Sequence, residues 1–144
     1  LAGELDAAQG TTLCGLARFD GTSGALDTRW LPFANYGAGE VEVIGDSIYV
    51  GGGFATLSGQ PRVGLAKLSL GSPFPVQTWI ANIGGGEYPW ASVIAAVGST
   101  IWVGGEFTQV GGQPRASLAA LAPGTQTLFG DSFEEVPSAC VPAE

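Results

Sequence analysis

Residues 41–70 laid over residues 94–123, at a spacing of 53, agree at 13 of 30 positions. The longest shared run is Gly59-Gln60-Pro61-Arg62 with Gly112-Gln113-Pro114-Arg115, and Gly51-Gly52-x-Phe54 recurs as Gly104-Gly105-x-Phe107. A third copy stands upstream at a spacing of 49, with Gly15-Leu16-Ala17-Arg18 over Gly64-Leu65-Ala66-Lys67 and Trp30 over Trp79. A period of about 50 residues restricts the chain to stacked supersecondary units, each too small to bury its own apolar face and each completed by a neighbour.

Within one period the pattern is that of strands. Val41 and Val43 lead to Ile44, Gly45-Asp46 makes a tight turn, and Ser47 to Gly51 follows; the next copy reads Val93 to Val97, Gly98-Ser99, then Thr100 to Val103. A Gly-containing pair between β-rich runs is a hairpin signal. A third strand is expected over Val63 to Leu68 and a fourth ending at Trp79, while no 11-residue window has helical periodicity. Gly fills 24 of 144 positions, more than twice the usual ~7%, as a turn-rich chain requires.

Four short antiparallel strands per ~50 residues is the make-up of a β-propeller blade. The expected fold is therefore all-β, with about two and a half blades: a partial first blade over 1–35, a second over 36–82, a third over 83–129, and a C-terminal tail over 130–144. At the spacing of 49, Leu1 to Leu5 falls on Val50 to Phe54, so the chain opens inside the second strand of a blade. A closed ring needs about four to eight blades. The chain is thus expected to be the C-terminal part of a longer propeller, or one of several copies that assemble into a ring.

The phrases Ile48-Tyr49-Val50-Gly51-Gly52-Gly53-Phe54 and Ile101-Trp102-Val103-Gly104-Gly105-Glu106-Phe107, each followed by Gly-Gln-Pro-Arg and Leu-Ala, resemble the delta-sixty type of propeller repeat found in secreted bacterial proteins. A Gly-Gly doublet followed by a Trp some 27 residues on also looks like a kelch-type blade. The ending Leu128-Phe129-Gly130-Asp131-Ser132-Phe133-Glu134 is similar to short C-terminal tails of secreted proteobacterial proteins. The resemblance implies a secreted, extracellular or periplasmic propeller protein and names no activity.

Thirteen acids against five bases give a net charge of −8, opposite in sign to the Lys/Arg footprint that binds nucleic acid or anionic membrane, so neither is an expected partner. No apolar run reaches the ~18–20 residues of a membrane helix. The absence of His removes Ser-His-Asp chemistry and His-ligated zinc or copper. A glycosidase needs two acids about 5–10 Å apart; Glu40 with Glu42 and Glu87 with Glu106 are the candidates, and both read by default as solvated surface acids. Asp20 to Asp27 lacks the alternating acids of a calcium loop and reads as a turn. No metal, cofactor or catalytic residue is assigned.

In a blade, the loop between strands two and three emerges at the same end as the link to the next blade. That end collects Ala55 to Arg62, Thr108 to Arg115 and the linkers 34–40 and 81–90. Arg62 and Arg115 recur at equivalent positions, which points first to a loop tied to a neighbouring carbonyl or carboxylate and second to ligand contact. Tyr36 and Glu40 of one linker, and Glu87, Tyr88 and Trp90 of the other, are the ligand-binding candidates, because aromatic rings beside a carboxylate suit sugar or peptide. Trp90 has the alternative of covering the end of the core. Trp30, Trp79, Tyr49, Trp102, Phe54 and Phe107 are expected between blades.

Cys14 and Cys140 are the only cysteines. An even number in a chain that looks secreted points to a disulfide, closing a loop of about 125 residues and contributing about 4–5 kcal/mol in the chain-entropy model. The function expected from these readings is a non-enzymatic extracellular scaffold whose partners are further blades, other copies of the chain, or a protein or glycan ligand. The alternatives are the C-terminal blades of a secreted carbohydrate-active enzyme and a short chain that self-assembles into a ring.

Overall fold

The structure, a computed structural model, describes residues 2–3, 6–71 and 76–123, and these contain strands and turns without a helix. The first unit has β1 (Ala7–Ala8) and β2 (Thr11–Thr12). The second has β3 (Ala38–Ile44), β4 (Ser47–Gly52), β5 (Thr56–Leu57), β6 (Gln60–Pro61) and β7 (Leu65–Ser69). The third has β8 (Ile83–Gly84), β9 (Trp90–Val97), β10 (Thr100–Glu106), β11 (Gln109–Val110), β12 (Gln113–Pro114) and β13 (Leu118–Leu121).

The repeat in sequence is a repeat in pairing. β3-β4-β7 and β9-β10-β13 are antiparallel sheets with the same order, and Val50↔Ala66 has its counterpart in Val103↔Ala119. In the first unit the single bridge Ala2↔Leu16 corresponds to Gly51↔Leu65. The expected fourth strand of the second unit is present only as a bridge, Leu68↔Val76, supported by Gln77 N donating to the Lys67 carbonyl.

Between the second and third sheet strands each unit inserts a small hairpin: β1–β2, β5–β6 or β11–β12. The turns at Gln9-Gly10, Ser58-Gly59 and Gly111-Gly112 have φ of 48 and 78°, 48 and 76°, and 57 and 74°. Positive φ at both central residues is the type I′ conformation, whose twist matches that of the flanking strands. β8 pairs with β11, and the bridge Ala34↔Leu57 repeats that contact one unit earlier.

Alternation along the strands places the core between units. Ile48, Val50, Ala66 and Leu68 face the first unit with Leu16, Trp30, Phe54 and Leu57. Tyr49 and Leu65 face the other way, onto Ile94, Ile101, Val103, Ala119 and Leu121 of the third. β9 lies against β3 and β4. The second sheet is therefore covered on both faces, and β4 is buried from Ile48 to Gly52.

A polar clasp repeats across each junction. Arg18 sits over the Trp30 ring at 5.5 Å and donates to the Leu70 carbonyl, while Trp30 Nε1 reaches the Ser69 carbonyl. One unit later Lys67 sits over Tyr49 at 5.3 Å and donates to the Pro123 carbonyl, while Trp79 Nε1 donates to the Ala122 carbonyl at 3.0 Å. Ala120 stands where Arg18 and Lys67 stand in the earlier units.

The outer face of the third sheet differs from the expectation for Trp102. Tyr49 and Leu65 are 2% and 1% exposed, whereas their counterparts Trp102 and Leu118 are 40% and 57% exposed, beside exposed Val93 and Val97. No further sheet among the described residues lies on this face to cover it. Tyr49→Ala is expected to cost about 3 kcal/mol or more, as for a buried aromatic, and Trp102→Ala about 1 kcal/mol or less. Urea midpoints of the two variants check this, and equal losses would mean that the outer face is covered in solution.

Candidate functional site

The linkers and the loop between sheet strands meet at one end of the stack. Tyr36 from the first linker, Phe54 and Val63 from the segment after β4, and Glu87, Tyr88 and Trp90 from the second linker line one cavity of about 470 Å³. Phe54 is fully buried, while Tyr36, Tyr88 and Trp90 each keep an exposed surface. Four of the candidate residues, Tyr36, Glu87, Tyr88 and Trp90, are thus brought together. Arg62, Arg115 and Glu40 are not in the lining.

Each wall has a local cause. Tyr36 holds φ of 62°, a left-handed conformation uncommon for a bulky residue and maintained only where the surroundings impose it. The neighbouring Asn35 is such a surrounding: it is buried, and its Oδ1 accepts from the backbone N–H of Ala55 at 2.9 Å and Thr56 at 2.6 Å. This hydrogen-bonded pair joins the linker to the start of β5. Trp90, the first residue of β9, lays its ring on bare backbone, since a Cβ at Gly53 would fall inside the ring and one at Gly39 would stand 3.2 Å from it.

The same contact explains a break in the repeat. Gly37 occupies the position of Trp90 one unit earlier, and Glu106 the position of Gly53 one unit later. Trp90 and Gly53 are therefore complementary departures that exist only at the junction of the second and third units. Trp90 both covers the end of the core and forms a cavity wall.

The repeated arginines diverge. Arg62 is buried, with Nη1 donating to the Pro61 carbonyl at 2.6 Å and Nη2 to the Gln77 carbonyl at 2.7 Å; burial lowers its pKa from the ordinary arginine value. It ties the loop to the chain leading into Trp79. Arg115 is exposed and, among the described residues, donates to the neighbouring Pro114 carbonyl at 2.7 Å. Of the acids, Glu42 accepts from the Ala96 N–H at 3.4 Å and so braces β9.

A second depression, of about 520 Å³, is lined by residues 18–21 and 25–29. Its charged groups bond one another. Asp20 Oδ1 accepts from Thr22 N, Ser23 N and Ser23 Oγ, which makes residues 20–23 a turn. Arg18 lies 2.6 Å from Asp27 and, with the Arg29 backbone N–H, holds that carboxyl down at about 2. Among the described residues no group of three or more His, Cys, Asp or Glu side chains is placed to hold a metal ion. No helix of the described residues is long and apolar enough to cross a membrane.

Cys14 is half-buried; Cys140 and the rest of the tail lie outside the described residues. The Cys14–Cys140 pairing is carried forward as an expectation. Thiol titration of the unfolded, unreduced chain should detect no reactive group, and two reactive groups would remove the bridge. No family model, curated protein or solved structure matches the chain.

Proposed function

We propose that the chain is a run of about two and a half β-propeller blades of the delta-sixty or kelch-like kind, from a secreted or periplasmic protein. It works as a non-enzymatic scaffold that binds a protein or glycan ligand in the Trp90 cavity. The observation carrying this reading is that three of the cavity walls, Glu87, Tyr88 and Trp90, come from a linker that breaks an otherwise repeated pattern. Structural positions such as Phe54 and Phe107 recur in the repeat. Between equivalent pairing points, Ala34 to Ala38 in one unit and Ile83 to Ala91 in the next, the second linker is the longer and supplies Glu87, Tyr88 and Trp90, and aromatic side chains converging on a concave surface are the usual make-up of a recognition site.

The blade reading is supported by the equivalent sheets, the second of which turns one face to the unit before and the other to the unit after. A ring continued by other units, from a longer chain or from other copies, is favoured by the uncovered face around Trp102 and Leu118. Because Ala120 replaces the clasp cation, a cover on that face engages it chiefly through apolar contact. Light-scattering mass of the chain tests association, and a monomer at high concentration would exclude assembly by copies.

The cavity is tested by screening the full chain against a glycan array and a peptide library, with Tyr88→Ala as the control. Tyr88 is mostly exposed, so its loss should change stability by about 0.5 kcal/mol or less and weaken a ligand of this cavity about tenfold. A ligand indifferent to Tyr88→Ala binds elsewhere and defeats the assignment.

A further inference from the structure

Resting on the reading of the Trp90 cavity as a binding site, we propose that the group it selects on its ligand is a quaternary ammonium. Glu87 is the sole charged residue in the lining, and the rings with accessible surface there are those of Tyr36, Tyr88 and Trp90, with the buried Phe54 behind them. Glu87 forms no salt bridge among the described residues. Arg62 directly precedes the lining residue Val63, but its guanidinium is turned onto the Pro61 and Gln77 carbonyls. The cavity therefore offers a negative charge and aromatic faces with no positive group to receive an anionic ligand.

Aromatic faces carry negative potential and attract a cation placed within about 6 Å of the ring centre, and several rings around one site are the arrangement that recognises methylated ammonium ions. A quaternary ammonium suits this cavity better than a primary one. It is weakly hydrated, cannot donate hydrogen bonds, and presents an apolar methyl surface to rings that offer few acceptors. An anionic ligand would bring its charge toward Glu87 in a partly water-excluded site, where like charges repel. The volume of about 470 Å³ leaves room for the remainder of a small molecule beside the ammonium head.

The test is calorimetric titration of the full chain with choline chloride, with the uncharged isostere 3,3-dimethylbutan-1-ol, and with a neutral methyl glycoside. Choline should bind about tenfold or more tightly than the isostere, the difference expected for a cation among several rings and one carboxylate. Tyr88→Leu and Glu87→Gln should each weaken choline about fivefold or more, with circular dichroism and urea midpoint unchanged. Equal binding of choline and the isostere overturns the cation inference and leaves the cavity assignment standing, as does binding of the glycoside alone. Binding of none of the three overturns the inference and counts against the site itself. Choline binding insensitive to both substitutions places the cation elsewhere and also overturns it.

Discussion

Trp79→Ala is expected to lower the stability of the chain by about 3–5 kcal/mol, the range for removing a large buried aromatic. Trp79 is 2% exposed and meets Tyr49 edge to face, with ring centres 5.3 Å apart and planes at 89°. That contact adds to plain area burial. Its Nε1–H is bonded to the Ala122 carbonyl, so truncation also removes a hydrogen bond that joins the exit of the second unit to the last strand of the third. A loss of this size is a large share of the ~5–15 kcal/mol available to a single domain. Chemical denaturation of the two proteins side by side measures it. A loss below about 1 kcal/mol would show that the junction between the second and third units is not where the chain keeps its stability.

The second large effect concerns the Gly-Gly doublet, whose two members should behave in opposite ways. Gly105 lies where the pairing of β10 with β9 shifts register. A Cβ there would collide with the Trp90 carbonyl oxygen and stand 3.0 Å from both Ala91 Cα and Ser92 N. Those atoms are backbone and cannot rotate away, so Gly105→Ala is expected to cost about 3 kcal/mol or more. A Cβ at Gly52, one unit earlier, would stand 2.5 Å from the Gly37 carbonyl oxygen and 2.9 Å from Ala38 Cα, so Gly52→Ala should respond alike. At Gly104 the nearest atom would be the Ser117 carbonyl at 3.8 Å, an ordinary contact. Gly104→Ala should therefore be neutral or stabilising by about 0.5 kcal/mol, since alanine restricts the unfolded chain. Equal effects at 104 and 105 would refute the close-approach account of the doublet.

Much of this is legible in the sequence. The spacings of 53 and 49 located equivalent strands, and the repeat already implied units completed by their neighbours, with Tyr49 and Trp79 between them. The end of the stack that gathers linkers and loops followed from strand order, and Tyr36, Glu87, Tyr88 and Trp90 stood out because they are not repeated. Two things were not readable. The pairing of Trp90 with Gly53 joins residues 37 apart in the chain, and a glycine whose purpose is to admit another unit's ring looks like any other glycine in a chain that has 24. The split between Arg62 and Arg115 was equally hidden, because identical local sequence leads to Gln77 in one case and to solvent in the other.

The outcome for Trp102 marks the same boundary. Its side chain alternates as Tyr49 does, so local pattern placed both at an interface between units; whether a neighbour is present to complete that interface is a property of the stack and not of the strand. Periodicity and turn chemistry act over a few residues and were enough to settle strands, hairpins and which side chains share a face. Which faces are covered, which glycines are closely approached and where the aromatic walls converge depend on contacts between residues far apart in the chain, and only the assembled packing decided them.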